Sequence, residues 1–178
     1  MEKEITINWK QTTLSFFYEE MELTEFQKEQ YSQQLLSLVK IFDEFKKTEL
    51  SLDDFSINMN VNLCNDETIT LLNSQYRGKD KITDVLSFPL QENIRAGEFD
   101  HIIPELELGD IYICYSVCVD QAKEFKIEYF DEFIHLSVHG FLHLCGYDHE
   151  LSIQEEKLME SLEKKIIDNI SQIKKGSC

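Results

Sequence analysis

His139-Gly140-Phe141-Leu142-His143-Leu144-Cys145-Gly146-Tyr147-Asp148-His149 holds three histidines in the order His-x3-His-x5-His. The stretch reads as the end of a helix, a glycine stop and a short return. Residues four apart on a helix share a face, about 6 Å apart along the axis. His139 and His143 therefore project from one side, and their ring nitrogens can meet a common ion at roughly 2.0–2.1 Å. His135 continues the stripe but lies about 12 Å from His143 along a straight helix, too far to share that ion. The third ligand must come from the chain turning back. Gly146 accepts the left-handed conformation found just past helix ends, and His149 follows at a distance that allows the return. Three protein ligands and one open position is how a catalytic zinc is usually held.

A single histidine is more often a satisfied core or surface residue; three at this spacing favour a metal. Cys145 lies two positions after His143 and would face away from the metal, so core burial is expected. His135 is expected beside the ligands in the cleft, with Asp131 as an outer carboxylate, because metal-bound imidazoles give their second N–H to such partners.

The chain has 178 residues, 42% of them hydrophobic and 29% charged, a globular composition that fits one domain spanning residues 1–178. No apolar run approaches the ~20 residues of a bilayer span, and Met1-Glu2-Lys3-Glu4 lacks an apolar signal core, so the expectation is a cytoplasmic protein without a membrane partner. Five cysteines, Cys64, Cys114, Cys118, Cys145 and Cys178, follow no scaffold-like layout and read as reduced structural thiols. A net charge of −17 opposes simple nucleic-acid binding, which usually leaves a basic footprint. Arg77, Lys79 and Lys81 form one local exception, either a charged turn or an anion-binding edge facing the metal.

Around this centre the pattern predicts strands near Ile5–Trp9, Phe55–Leu63, Thr83–Phe88 and Leu108–Tyr115, with a loop over 91–107. Thr24 and Gln27 form a capping box for a helix running to about Phe45; Asn65 or Asp66 caps a short helix stopped by Gly78; a helix over about Ser116–Phe125 leads into the histidine helix, Tyr129–Leu144; Ser152 and Glu155 cap the last one. The fold class expected is α+β with an α/β-like order: one mixed four-stranded sheet, about five helices, and the metal site at the end of a central helix.

The zinc-peptidase motif of the metzincins matches the histidines and the glycine, but its general-base glutamate is replaced by Gly140, which moves no proton. The same run resembles the hallmark of the YbeY family of bacterial endoribonucleases. Two further blocks are similar to that family: Leu72-Asn73 and Tyr76-Arg77 leading into Thr83-Asp84-Val85-Leu86-Ser87-Phe88-Pro89, and Leu108-Gly109-Asp110-Ile111. Together the blocks cover about Asn60 to Glu150. The resemblance implies one Zn2+ held by His139, His143 and His149, and Arg77 as a functional residue near it. It also implies action on ribosomal RNA precursors, tied to the small ribosomal subunit and to ribosome-assembly proteins. The expected roles are catalysis by Arg77 and the metal-bound His139, substrate contact by Arg77 and Ser87, and support from His135, Asp84 and Asp148. A metallohydrolase of another substrate such as a peptide, and a non-catalytic assembly factor with structural zinc, remain the alternatives. The acidic charge implies weak unaided affinity for RNA.

Overall fold

The computed structural model describes residues 3–18, 21–91, 94–97, 99 and 103–176. Met1, Glu2 and Cys178 lie outside the described residues. In chain order the elements are β1 (Glu4–Trp9), β2 (Thr12–Phe17), α1 (Glu25–Thr48), β3 (Ser56–Cys64), α2 (Asp66–Arg77), β4 (Val85–Pro89), a 3-10 turn (Ile94–Ala96), β5 (Glu105–Cys114), α3 (Tyr115–Phe125), α4 (Tyr129–Leu144) and α5 (Ile153–Gly176). The strands form one mixed sheet in the order β1-β2-β3-β5-β4, parallel across β2–β3 and β3–β5 and antiparallel at both edges.

The α+β class and the five α-helices match the expectation; the four-stranded sheet does not. The missing strand is β2. Its turn from β1 is the pair Lys10-Gln11, with Lys10 at φ 50°, and hairpin turns of this kind are usually signalled by Asn or Gly. Without that signal, β1 and β2 do not read as two strands.

β3 is the centre of the sheet because its alternation is strict. Ile57, Met59, Val61 and Leu63 are buried on the helical side. Asn58 and Asn60 on the other side bond to Glu105, Glu107 and Asp110 of β5. Its neighbour β5 starts earlier than expected because its alternation changes phase. Leu106 and Leu108 point inward, then Ile111 and Ile113, and the pairing with β3 slips a residue between Asn58 and Met59. Gly109 sits at this bulge with φ 131°.

α4 packs on β4 and β5, with α3 and α5 beside it. Phe133, Val138, Phe141 and Leu142 are fully buried, and Phe141 stacks on Phe42 of α1 at 3.8 Å between ring centroids. Burying one such side chain contributes roughly 1.5–3 kcal/mol. Only His135, His139 and His143 are half-exposed along the middle and end of this otherwise buried helix. The polar stripe therefore lies along a cleft while the other faces are anchored in the core.

Gly140 lets α4 approach the sheet: a Cβ there would lie 2.7 Å from Ile111 Cγ2. The same contact closes the position that a peptidase fills with its glutamate. Gly140→Ala should destabilise the fold by about 1–3 kcal/mol through overpacking, despite a helix-propensity gain of roughly 0.5–1 kcal/mol. Denaturant unfolding measures the balance, and a net gain in stability would show that Ile111 gives way freely.

Candidate metal centre

α4 ends through backbone geometry. The Gly146 N–H donates to the His143 carbonyl at 2.9 Å, the Tyr147 N–H donates to the Leu142 carbonyl at 3.0 Å, and Gly146 adopts φ 85°. The chain then folds back, and the Asp148 carboxylate accepts the Glu150 N–H at 2.9 Å, shaping the turn that presents His149. The donor atoms of His139, His143 and His149 all lie within 4.8 Å of one another. The Nε2 atoms of His139 and His143 are 3.1 Å apart, close to the roughly 3.3 Å expected between two nitrogens on one tetrahedral zinc.

Chemistry agrees with geometry. Metal binding needs neutral imidazole. Burial, reinforced by the charges of the neighbouring His139 and His149, pushes the His143 pKa down to about 4. At neutral pH its lone pair is free for a cation. His139 donates Nδ1–H to Glu163 Oε1 at 2.6 Å, which fixes the tautomer that leaves Nε2 facing the other histidines. The three residues thus suit a borderline-soft divalent ion such as zinc.

All the expected site residues except Asp131 line one cleft of about 850 Å³. Arg77, at the C-terminal end of α2, lines the cleft together with the triad, and among the described residues its guanidinium forms no hydrogen bond or ion pair. Lys79 and Lys81 line the same cleft. Ser87 enters from β4. Asp84 bonds to the Val85 N–H, to Thr83 and to Gln121 of α3 at 2.8, 3.1 and 3.0 Å. Burial opposes its charge, but these bonds prevail and hold its pKa below the usual carboxylate range. Asp84 therefore ties the start of β4 to α3 rather than reaching Arg77 or α4. His135 lines the cleft with Nδ1 on Glu132. Asp131 is exposed and forms no bond to the histidines.

The sequence reading missed three contributors. Glu163 lies 24 residues beyond His139, although it follows Met159 by four on the inward side of α5, a spacing that could have flagged it. Arg95, the second of the two arginines, stacks over Tyr147 at 4.0 Å, bonds to the Gly146 carbonyl at 3.3 Å and pairs with Glu155 at 2.7 Å. It thereby braces the return loop. Glu132 was hidden because a carboxylate in the first turn of a helix reads as a solvated dipole partner. Cys145 is fully buried, as expected, and Cys64, Cys114 and Cys118 are buried as well.

Glu163→Ala should weaken zinc binding about 10–100-fold, the usual cost of losing a carboxylate behind a ligating histidine. Competition against a calibrated chelator measures it, and unchanged affinity would mean that His139 is oriented without Glu163.

A family model described as Endoribonuclease YbeY matches residues 16–171. An Endoribonuclease YbeY of Persephonella marina is 43% identical over 121 residues, covering 68% of this chain and 74% of the relative. One from a Sulfurihydrogenibium species is 37% identical over 145 residues, covering 81% and 90%. The solution structure of a Thermotoga maritima protein superposes with a TM-score of 0.55 at 31% identity, covering 82% of this chain and 87% of that one.

Proposed function

The chain belongs to the endoribonuclease YbeY family, and from that membership we propose that it is a zinc-dependent, single-strand-specific endoribonuclease acting in ribosomal RNA processing and small-subunit maturation. The observation that carries the reading is the convergence of three imidazoles and an unpaired arginine on one cleft.

His139, His143 and His149 hold one Zn2+. Bound there, zinc supplies Lewis acidity, activating water near neutral pH and polarising a phosphoryl oxygen. Arg77 places its planar fork against the non-bridging phosphate oxygens and stabilises the charge that grows on them during displacement. Ser87 offers a hydroxyl to the bound strand. Lys79 and Lys81 add to the positive charge beside Arg77, while the other lining residues include the carboxylates Glu156, Glu160 and Glu163. The phosphate backbone therefore runs along the Arg77 side. The ligands are half-buried, so the scissile phosphate must bend inward to meet them. A single strand can bend in this way; a duplex resists it.

The chain acts as one domain, in the cytoplasm, on ribosomal RNA precursors. With its −17 charge it depends on the small subunit and assembly proteins for affinity. No described helix is long and apolar enough to cross a membrane.

The test is digestion of a single-stranded RNA and a peptide library by zinc-loaded protein and its variants. Arg77→Ala should lower kcat/KM for RNA about 10²-fold while bound zinc stays at one per chain, and Arg77→Lys should recover only part of the loss. RNA cleavage unchanged in both Arg77→Ala and His143→Ala would point to a contaminating nuclease. Peptide cleavage that disappears in His143→Ala would transfer the activity to a peptide substrate.

A further inference from the structure

α4 carries a second histidine–carboxylate pair one turn before the metal ligands, and the reading above leaves it unused. Glu132 is 2% exposed, a burial rare for a carboxylate unless it is paired. Its Oε1 lies 3.3 Å from His135 Nδ1. The His135 side chain is 41% exposed and lines the same cleft as Arg77 and the triad. Among the described residues, Nε2 of His135 has no hydrogen-bond partner. A buried carboxylate thus holds one ring nitrogen while the other is left to the cleft. This is the arrangement by which an imidazole is oriented for proton transfer.

Resting on the ribonuclease reading, the geometry points to His135 as the general acid that protonates the departing 5′ oxygen, with Glu132 as its positioning residue. The attacking oxygen forms its bond to phosphorus and releases its proton to water. The P–O5′ bond breaks with its electron pair on O5′, and that oxygen takes the proton from His135 Nε2. Neutral His135 then regains a proton from solvent. Glu132 on the same helix, Glu163 on α5 and Asp84 before β4 each favour the charged form of His135, while Arg77, Lys79 and Lys81 are the cationic groups that line the same cleft. The hydrogen bond to Glu132, ahead of the opposing effect of burial, raises the His135 pKa above its ordinary value, so the acid form persists toward neutral pH.

The test compares a single-stranded RNA with the same RNA carrying a bridging 5′-phosphorothiolate at the cleavage site, whose sulfur departs without a proton. His135→Gln should slow cleavage of the oxygen substrate about 10²–10⁴-fold and the sulfur substrate by only a few-fold. Zinc content and affinity for a non-cleavable RNA should be unchanged. Glu132→Gln should move the alkaline limb of the kcat/KM profile to lower pH, because a weaker partner lets His135 lose its proton sooner. Equal slowing of both substrates, or loss of zinc or RNA affinity in His135→Gln, would overturn the acid role alone. An unmoved alkaline limb would overturn the part given to Glu132. Wild-type protein that cuts neither substrate would overturn the ribonuclease reading, and the acid role with it.

Discussion

A His143→Ala chain is expected to fold, to lose stoichiometric zinc and to cut single-stranded RNA at least about 10³-fold more slowly. The activity loss follows from removing a Lewis acid worth several kcal/mol in the transition state. Zinc should be lost because His143 is the middle ligand, with Nε2 3.1 Å from that of His139 and its ring 5.2 Å from that of His149. Folding should survive because the ring opens onto the cleft, whereas the core side of α4 is held by Phe133, Phe141 and Leu142. Burial also disfavours its charged form. Its folded-state pKa is thus depressed, so metal-free wild-type protein loses stability as pH falls from about 6.5 toward 4, where the unfolded chain binds a proton and the folded chain does not. The variant lacks that acid sensitivity. Metal analysis, RNA cleavage and melting at two pH values together check the expectation. Retention of one zinc per chain would show that another residue replaces His143.

The largest stability effect is expected at Gly109. A Cβ there would lie 2.1 Å from the Phe88 carbonyl oxygen, and φ 131° is a conformation that side-chain-bearing residues rarely adopt. The neighbour is strand backbone, which cannot swing aside as a flexible side chain would. Strain of about 1–3 kcal/mol and a comparable overpacking cost put Gly109→Ala at roughly 3–4 kcal/mol of lost stability. For a chain of this size that lowers Tm by about 10 °C. The effect should reach the site, because β4 carries Ser87 and pairs with β5 through Pro89↔Gly109. Thermal unfolding measures it. A shift of only one or two degrees would mean that β4 can detach at little cost.

The clustering of the candidate centre was legible in the sequence because its three histidines are local. Helical spacing, a glycine stop and a five-residue interval fix where His139, His143 and His149 stand relative to one another, and the fold only has to supply a cleft. Helix boundaries were equally legible where caps are side-chain chemistry, as at Thr24 with Gln27 and at Asn65. What escaped was set by distant contacts or by backbone. The β1–β2 hairpin turns on Lys10 without a turn-forming residue, and the β5 bulge splits one strand's alternation into two phases. Glu163 and Arg95 meet the histidine segment only after α5 and the 3-10 turn pack against it. Gly140 showed in the sequence as the absence of a glutamate; its packing partner, Ile111, comes from the distant sheet.

The central claim, that the histidine triad holds the metal on which RNA cleavage depends, is tested most directly by stripping the protein with a chelator and titrating zinc back against a single-stranded RNA. The account predicts no cleavage by the stripped protein, full recovery at one zinc per chain, and no recovery in His143→Ala at the same zinc concentration. Cleavage that survives complete metal removal, or that zinc restores equally in wild type and His143→Ala, would contradict it.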